Sequence, residues 1–563
     1  MSIVVGIDRI EAPASAWATE KRMMSLFLIV GFSALMIGAA IGPLQALNYA
    51  DVDYYPFLRP ILQSYYQGLT IHGVLNAYVF TFFVTSGVLV YLPARELGLA
   101  PNMAIWKTSF GLMAIGLVML LYAMFDNSSS VLWTFYPPLK GSPWFYFGMT
   151  LLTIGSMVPL AAVMDLRTRW KRANPGKMTP LVTYMSAATL LMWLLGALGA
   201  AAELIIMLDP WSLGMTRGVD PIIARTLFWW TGHPIVYFWL MPAYVSIYAL
   251  LPKQAGGKLV SDPMARLTFA LLLVFSLPVG THHQLTDPGI APTIKAIIAA
   301  LTLSVALPSL ITAFTLALSL EYAGRRRGGR GWFGWFTALP WGDPSVAAQV
   351  LALVTFIFGG AGGIVNGSFQ LDNLVHNTIW IPGHFHITVG TMVTMTFMGM
   401  SFWLIPHLTG RALISRRLAL VAIWLWFIGM SIFALGMHWG GLYGVPRRAW
   451  VSALPHSEYM KMYGVAHLPL ILVGVGGVIL WGATAAFYVV FFGSLAFGKP
   501  VETPTQIPFT EFLAGPQGSK LAAILEYLWP ITALTFVATL AAYLPVLIPF
   551  FQHQTFAPGW NVW

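Results

Sequence analysis

Thirteen stretches of this chain stay apolar for long enough to cross a ~30 Å hydrocarbon layer as helices, and no other feature limits its fold as strongly. They centre on 23–47, 65–93, 104–125, 144–166, 181–208, 224–251, 266–280, 291–319, 347–369, 379–406, 418–440, 465–495 and 522–551. The run 266–280 is the weakest, being short and carrying Pro278 near its end. With 58% hydrophobic and 9% charged residues, separate globules could not keep this surface from water. The expected fold is all-α and integral to the membrane: about thirteen transmembrane helices in one bundle. The first run is too long for a signal-peptide core and no small-residue cleavage site comes after it, so it is expected to remain as a helix.

Charge gives the bundle a direction. Lys21 and Arg22, Arg95 and Lys107, the group Arg167 to Lys177, Lys253 with Lys258 and Arg266, Arg325 to Arg330, and Arg411 with Arg416 and Arg417 fall in alternate loops. Positive loops face the cytoplasm. The expected layout is a cytoplasmic N-terminal segment 1–22, a bundle 23–551 and an external C-terminal tail 552–563, in a bacterial or archaeal plasma (inner) membrane. The net charge of +10 is thus a topology signal, and with no interleaved basic patch the partner is the lipid bilayer rather than nucleic acid. Cysteine is absent, which leaves imidazole as the main metal ligand.

Within that frame six histidines fall in the outer part of the membrane: His72, His233, the pair His282-His283, and His384 with His386. Gathering several imidazoles at such depth calls for a bound metal or ion. His384 and His386 stand ~200° apart around one helix and face opposite sides, so a single helix can serve two centres. His407, His438, His456, His467 and His553 read as interfacial, while His376 with Asp372 lies in the loop above the cluster.

In Thr231-Gly232-His233-Pro234-Ile235-Val236-Tyr237 an imidazole and a phenol share one helix face. His233, His282 and His283, with neither sulfur nor carboxylate, suit copper or zinc and form a site open to a small molecule. His72, His384 and His386 have the spacing of axial haem ligands, and Arg447-Arg448 in the outer loop are candidates to receive haem propionates. Tyr237, Tyr244 and Tyr248 lie at i, i+7 and i+11, and Ser309, Thr312 and Thr315 at i, i+3 and i+6. These two hydroxyl stripes could pass protons inward from the basic face.

Together Gly232-His233-Pro234 with Tyr237, His282-His283 and Pro382-Gly383-His384-Phe385-His386 resemble subunit I of the haem–copper terminal oxidases, across nearly the whole span of helices. The resemblance implies that His72 and His386 bind a low-spin haem, His384 a high-spin haem, and His233, His282 and His283 a copper ion (CuB). It also implies that Tyr237 is joined covalently to His233 and supplies a proton and an electron to O–O cleavage, and that Asp372 and His376 belong to a region loading protons for export. Where the commonest branch has a carboxylate after His-Pro, this chain has Ile235. It therefore resembles the B branch, whose familiar members pair a b-type low-spin haem with an a3-type high-spin haem.

The implied activity is a proton-pumping cytochrome c oxidase reducing O₂ to water. Its usual dinuclear copper entry site needs cysteines, so a second subunit is implied, together with cytochrome c as donor and a small single-helix subunit. A nitric oxide reductase of the same superfamily would lean on glutamates where this chain offers Tyr237. A membrane transporter is the alternative of a different class.

Overall fold

The computed structural model describes residues 17–503 and 505–561, so most of the segment 1–22 and the last two residues of the tail 552–563 lie outside the described residues. Every apolar run meets a helix. In chain order these are α1 (Ala18–Tyr49), α2 (Tyr65–Leu97), α3 (Met103–Phe125), α4 (Pro143–Ala173), α5 (Leu181–Ser212), α6 (Pro221–Gly232), α7 (Pro234–Ala249), α8 (Asp262–Phe275), α9 (Pro292–Arg326), α10 (Pro344–Gly367), α11 (Trp380–Thr409), α12 (Arg416–Leu442), α13 (His456–Phe497) and α14 (Leu528–Gln552). Among the described residues eleven are long and apolar enough to cross a membrane unaided; the other three of this set are α6, α7 and α8.

The exceptions have local causes. Pro234 has no N–H and cannot close a turn onto Trp230, so the sixth run breaks at His233 into α6 and α7. The seventh run is expected over 266–280, but its helix is shifted. Ser261 caps it by accepting from the Met264 amide, Pro263 sits in its first turn, and it stops at Phe275 ahead of Pro278. Beyond that proline the chain winds into a 3₁₀ turn, Gly280–Gln284, that carries His282 and His283.

Three helices also contain a π-helical stretch: Leu75–Phe80 in α2, Glu203–Leu208 in α5 and Thr388–Val393 in α11. In α11 the loosened carbonyls are taken up by side chains, with the Thr391 hydroxyl donating to His386 O (2.7 Å) and Thr394 to Val389 O (2.9 Å). Helices approach closely where glycine allows it. A methyl at Gly116 in α3 would meet the Gly148 carbonyl of α4 at 2.6 Å.

The connecting segments gather at the two ends of the bundle. At one end Trp17 lies under the Arg95 guanidinium, and strands β1 (Leu259–Ser261) and β2 (Phe512–Ala514) pair in parallel, Leu259 opposite Phe512. At the other end the tail pairs Ala557 with Val219, and the Trp560 amide donates to Pro138 O. Charge separates the ends less cleanly than the loops suggest. Arg225 and Lys140 lie at the tail's end, where Arg225 pairs with Asp287 (3.1 Å) and Lys140 stacks on Trp211 (5.2 Å).

At the basic end the Arg266 guanidinium, 1% exposed, bonds Asp262 (2.6 Å) and the Thr179 carbonyl (2.7 Å) and faces Glu526 (3.5 Å), which also takes Arg167 and Lys171. This network ties the foot of α14 to α4, α5 and α8. Removing one partner strands a buried charge, so Asp262→Ala should cost about 3–5 kcal/mol, read as a lowered thermal unfolding midpoint in detergent. Replacing Arg266 by Met and Asp262 by Leu together should recover most of the loss.

Candidate active site

The break at Pro234 and the 3₁₀ turn after α8 bring three imidazoles together. The ligand atoms of His233, His282 and His283 all lie within 4.8 Å of one another. Ring centres are 4.3 Å apart for His233–His282 and for His282–His283, and 5.4 Å for His233–His283.

Their surroundings orient them. The Thr302 hydroxyl gives its proton to Ile298 O (2.7 Å), so its oxygen accepts from His282 Nδ1 (2.9 Å), leaving the His282 lone pair on Nε2. His233 Nδ1 stands 3.3 Å from His283 Nε2, while His233 Nε2 is buried without a partner among the described residues. The Trp229 indole lies flat on His283, with centroids 3.8 Å apart and planes at 10°. Tyr237 sits beside His233 at 5.0 Å between rings.

His72 and His386 face each other across a cavity of about 210 Å³, with ring centres 6.1 Å apart and planes at 15°. Two imidazoles bonded from opposite sides to one metal at ~2 Å each stand with ring centres roughly 6 Å apart, so the gap fits one axially ligated ion. In both rings Nδ1 donates to a backbone carbonyl, His72 to Gly38 (2.8 Å) and His386 to Pro382 (2.6 Å), which frees Nε2. A methyl at Gly42 would meet the His72 ring at 2.8 Å, so the cavity wall needs glycine there.

Arg447 and Arg448 line the same cavity. Burial first, and then the charge of Arg448, push Arg447 down to about 9, so an anion set against the pair would relieve both effects. Arg447 also donates to Asn377 Oδ1 (2.9 Å), in the loop just after Asp372 and His376. Those two are themselves bonded, His376 Nδ1 to Asp372 Oδ2 at 2.9 Å.

His384, on the opposite side of α11 from His386, abuts the glycine-rich part of α10. A methyl at Gly362 would lie 2.9 Å from His384 Nδ1, and that nitrogen is buried without a partner among the described residues.

The hydroxyl stripes meet only in part. Tyr248 reaches Thr312 (2.9 Å) and Thr268 (3.1 Å), and Tyr244 packs on it at 6.1 Å between rings with its own hydroxyl buried and unbonded among the described residues. Thr315 is buried, but Ser309 turns its hydroxyl back onto Val305 O (3.1 Å) of its own helix. Thr268 had no periodic signal in the sequence, since α8 is short and this is a single hydroxyl among apolar residues.

His407, expected at the interface, is buried between the Tyr91 hydroxyl (2.8 Å) and Thr505 O (2.5 Å). Glu203 is a fully buried carboxylate on α5 whose oxygens bond neither imidazole nor any other group among the described residues.

The sequence profile of the cytochrome c and quinol oxidase polypeptide I family matches residues 22–479. Cytochrome c oxidase subunit 1 of Thermus thermophilus is 52% identical over 551 residues, 97% of each chain. The heme–copper oxidase subunit I+III of Aeropyrum pernix is 26% identical over 86% of this chain and 58% of its own length. A solved heme–copper terminal oxidase dimer superposes with a TM-score of 0.90 at 35% identity, covering 97% of this chain and 95% of its own.

Because Thr302 fixes the tautomer of His282, Thr302→Ala should weaken metal binding at the three-imidazole site by about 10- to 100-fold. Chelator competition with copper reads this directly, and wild-type affinity in the variant would show that the hydroxyl does not orient the ring.

Proposed function

The chain belongs to the cytochrome c and quinol oxidase polypeptide I family, and from that premise we propose that it is the catalytic subunit of a proton-translocating oxidase reducing O₂ to water with electrons from cytochrome c. It is a multi-pass protein of the prokaryotic respiratory membrane. Family members carry a low-spin haem, a high-spin haem and one copper ion, which when bound supply electron transfer and O₂ reduction; for this chain the likeness to the B branch points to a b-type low-spin and an a3-type high-spin haem.

The residues fit those groups. His72 and His386 would hold the low-spin haem, with Arg447 and Arg448 receiving its carboxylates. His384 would hold the high-spin haem, and His233, His282 and His283 the copper. The observation that carries the reading is the convergence of those three imidazoles from α6/α7 and the 3₁₀ turn, with Tyr237 against one of them. A phenol there favours an oxidase over a nitric oxide reductase, because its hydroxyl can give up a proton next to the reacting oxygen. His233 Nε2, left free, is the nitrogen available for a covalent bond to Tyr237.

Protons would enter at the basic end and pass by Thr315, Thr312, Thr268 and Tyr248 to Tyr244 and Tyr237, with Ser309 contributing only if its hydroxyl leaves its own helix. The Asp372–His376 pair would take up protons bound for the outside. With the basic end cytoplasmic, segment 1–22 lies inside and tail 552–563 outside the bundle 23–551. A second subunit with the dinuclear copper site completes the enzyme, with a small single-helix subunit beside it.

Tyr237→Phe should keep both haem absorption spectra and lower O₂ turnover by about 10²–10⁴-fold; normal turnover would refute its role. Thr312→Ala and Tyr248→Phe should slow proton uptake from the basic face by about 100-fold without altering the spectra, measured with a pH dye in vesicles. Unchanged uptake would discard the hydroxyl route, and a purified protein with no haem absorbance would end the oxidase reading.

A further inference from the structure

The last helix, α14, lies wholly beyond the residues matched by the family profile, yet one of its side chains reaches the turn that bears His233. Tyr543 is fully buried, and its hydroxyl donates to the Trp229 carbonyl at 3.0 Å. That carbonyl is where the helix is weakest. Its own helical donor, the His233 amide, is 3.4 Å away, and the next amide in line is missing because residue 234 is proline.

Trp229 is central to the site in two ways. Its backbone carbonyl begins the last turn before His233, and its indole stacks on His283. The 3₁₀ turn meets the same point. A methyl on Gly280 would fall 2.1 Å from the Tyr543 oxygen, 2.4 Å from the Trp229 oxygen and 3.4 Å from His233 Cβ. One hydroxyl on α14 thus touches the junction of the two segments that supply the three imidazoles. The ring itself is seated independently, against Trp230 at 4.7 Å and in a small cluster with Leu547.

We infer that Tyr543 is a positioning residue for the copper ligands: its hydroxyl fixes the Trp229 carbonyl, and with it the turn carrying His233 and the indole that sets the plane of His283. This rests on the copper assignment proposed above. Burying a phenol hydroxyl from a peripheral helix is favourable when it bonds, and the acceptor it finds, the Trp229 carbonyl, is otherwise met only by the long 3.4 Å bond from the His233 amide, the last helical amide before Pro234.

The test uses the intact holoenzyme carrying Tyr543→Phe, which keeps the ring and removes the bond. Leu547→Ala serves as the packing control, since it loosens the same cluster and leaves the hydroxyl in place. Expected in Tyr543→Phe are unchanged haem content and about 10-fold weaker copper retention against a chelator, with a shifted infrared band for carbon monoxide bound to the reduced copper. Leu547→Ala should lower the unfolding midpoint and leave copper retention and the band as in the wild type. Gly280→Ala, which pushes on the hydroxyl and carbonyl together, should lose copper as Tyr543→Phe does. Wild-type copper retention and band position in Tyr543→Phe would overturn the inference, as would equal copper loss in Leu547→Ala. A wild-type complex with no copper on these histidines would overturn the copper assignment itself, and the inference with it.

Discussion

In hydrocarbon every backbone amide and carbonyl must find its partner inside the protein, and that requirement governs where this bundle can build a site. A regular helix satisfies its own backbone but spreads its side chains at fixed angles, so the neighbours His282 and His283, ~100° apart on a regular helix, would not turn to one point. The chain departs from regularity beside its histidines. The run through His233 breaks at Pro234, His282 and His283 ride on a 3₁₀ turn, and π-helical stretches begin at Leu75 after His72 and at Thr388 after His386. Each departure frees backbone groups that something else must bond. Thr391 and Thr394 do this in α11, and at the turn before Pro234 the Tyr543 hydroxyl supplements the long helical bond to the Trp229 carbonyl. The irregular backbone and the hydroxyls that repair it form one device.

That device explains what the sequence made legible. Apolar length located every helical run, because it is summed over many residues, while single cations such as Arg225 and Lys140 fall against the loop pattern. The six histidines were legible as a set because imidazole is costly at that depth. Thr302, Thr268 and Tyr543 were not, since each acts on a group distant in the chain and carries no period of its own. Within the stripe, Ser309 and Thr312 both bond a carbonyl four residues back, the usual local competition for a hydroxyl in a helix interior, and of the two only Thr312 also reaches Tyr248. His407 went astray for a related reason, because its two partners come from α2 and from the segment around Thr505.

Charge is handled differently at the two ends. The basic end pairs Arg266 with Asp262, Glu526 and a carbonyl, so this cation serves architecture. At the opposite end Arg447 and Arg448 line a cavity, and the described residues give Arg447 only an amide oxygen as partner. Two adjacent guanidiniums under-compensated in this way suit an anionic group that arrives with a ligand rather than with the fold.

The choice of hydroxyls over carboxylates between the basic end and Tyr237 has the same origin in the cost of buried charge. A carboxylate within the bundle must be paired, or neutral, or it destabilises the fold; a tyrosine or threonine is neutral at rest, before and after a proton has passed, and then needs only hydrogen-bond partners. Tyr248, bonded to Thr312 and Thr268 at once, can receive on one side and donate on the other without moving its ring. Glu203 makes the contrast within the same molecule. It is buried on α5, and its two oxygens bond no group among the described residues, the imidazoles included. Neutral side chains along this line would leave the field at the imidazoles to the two arginines and to a metal those histidines hold, with no resident carboxylate charge to offset.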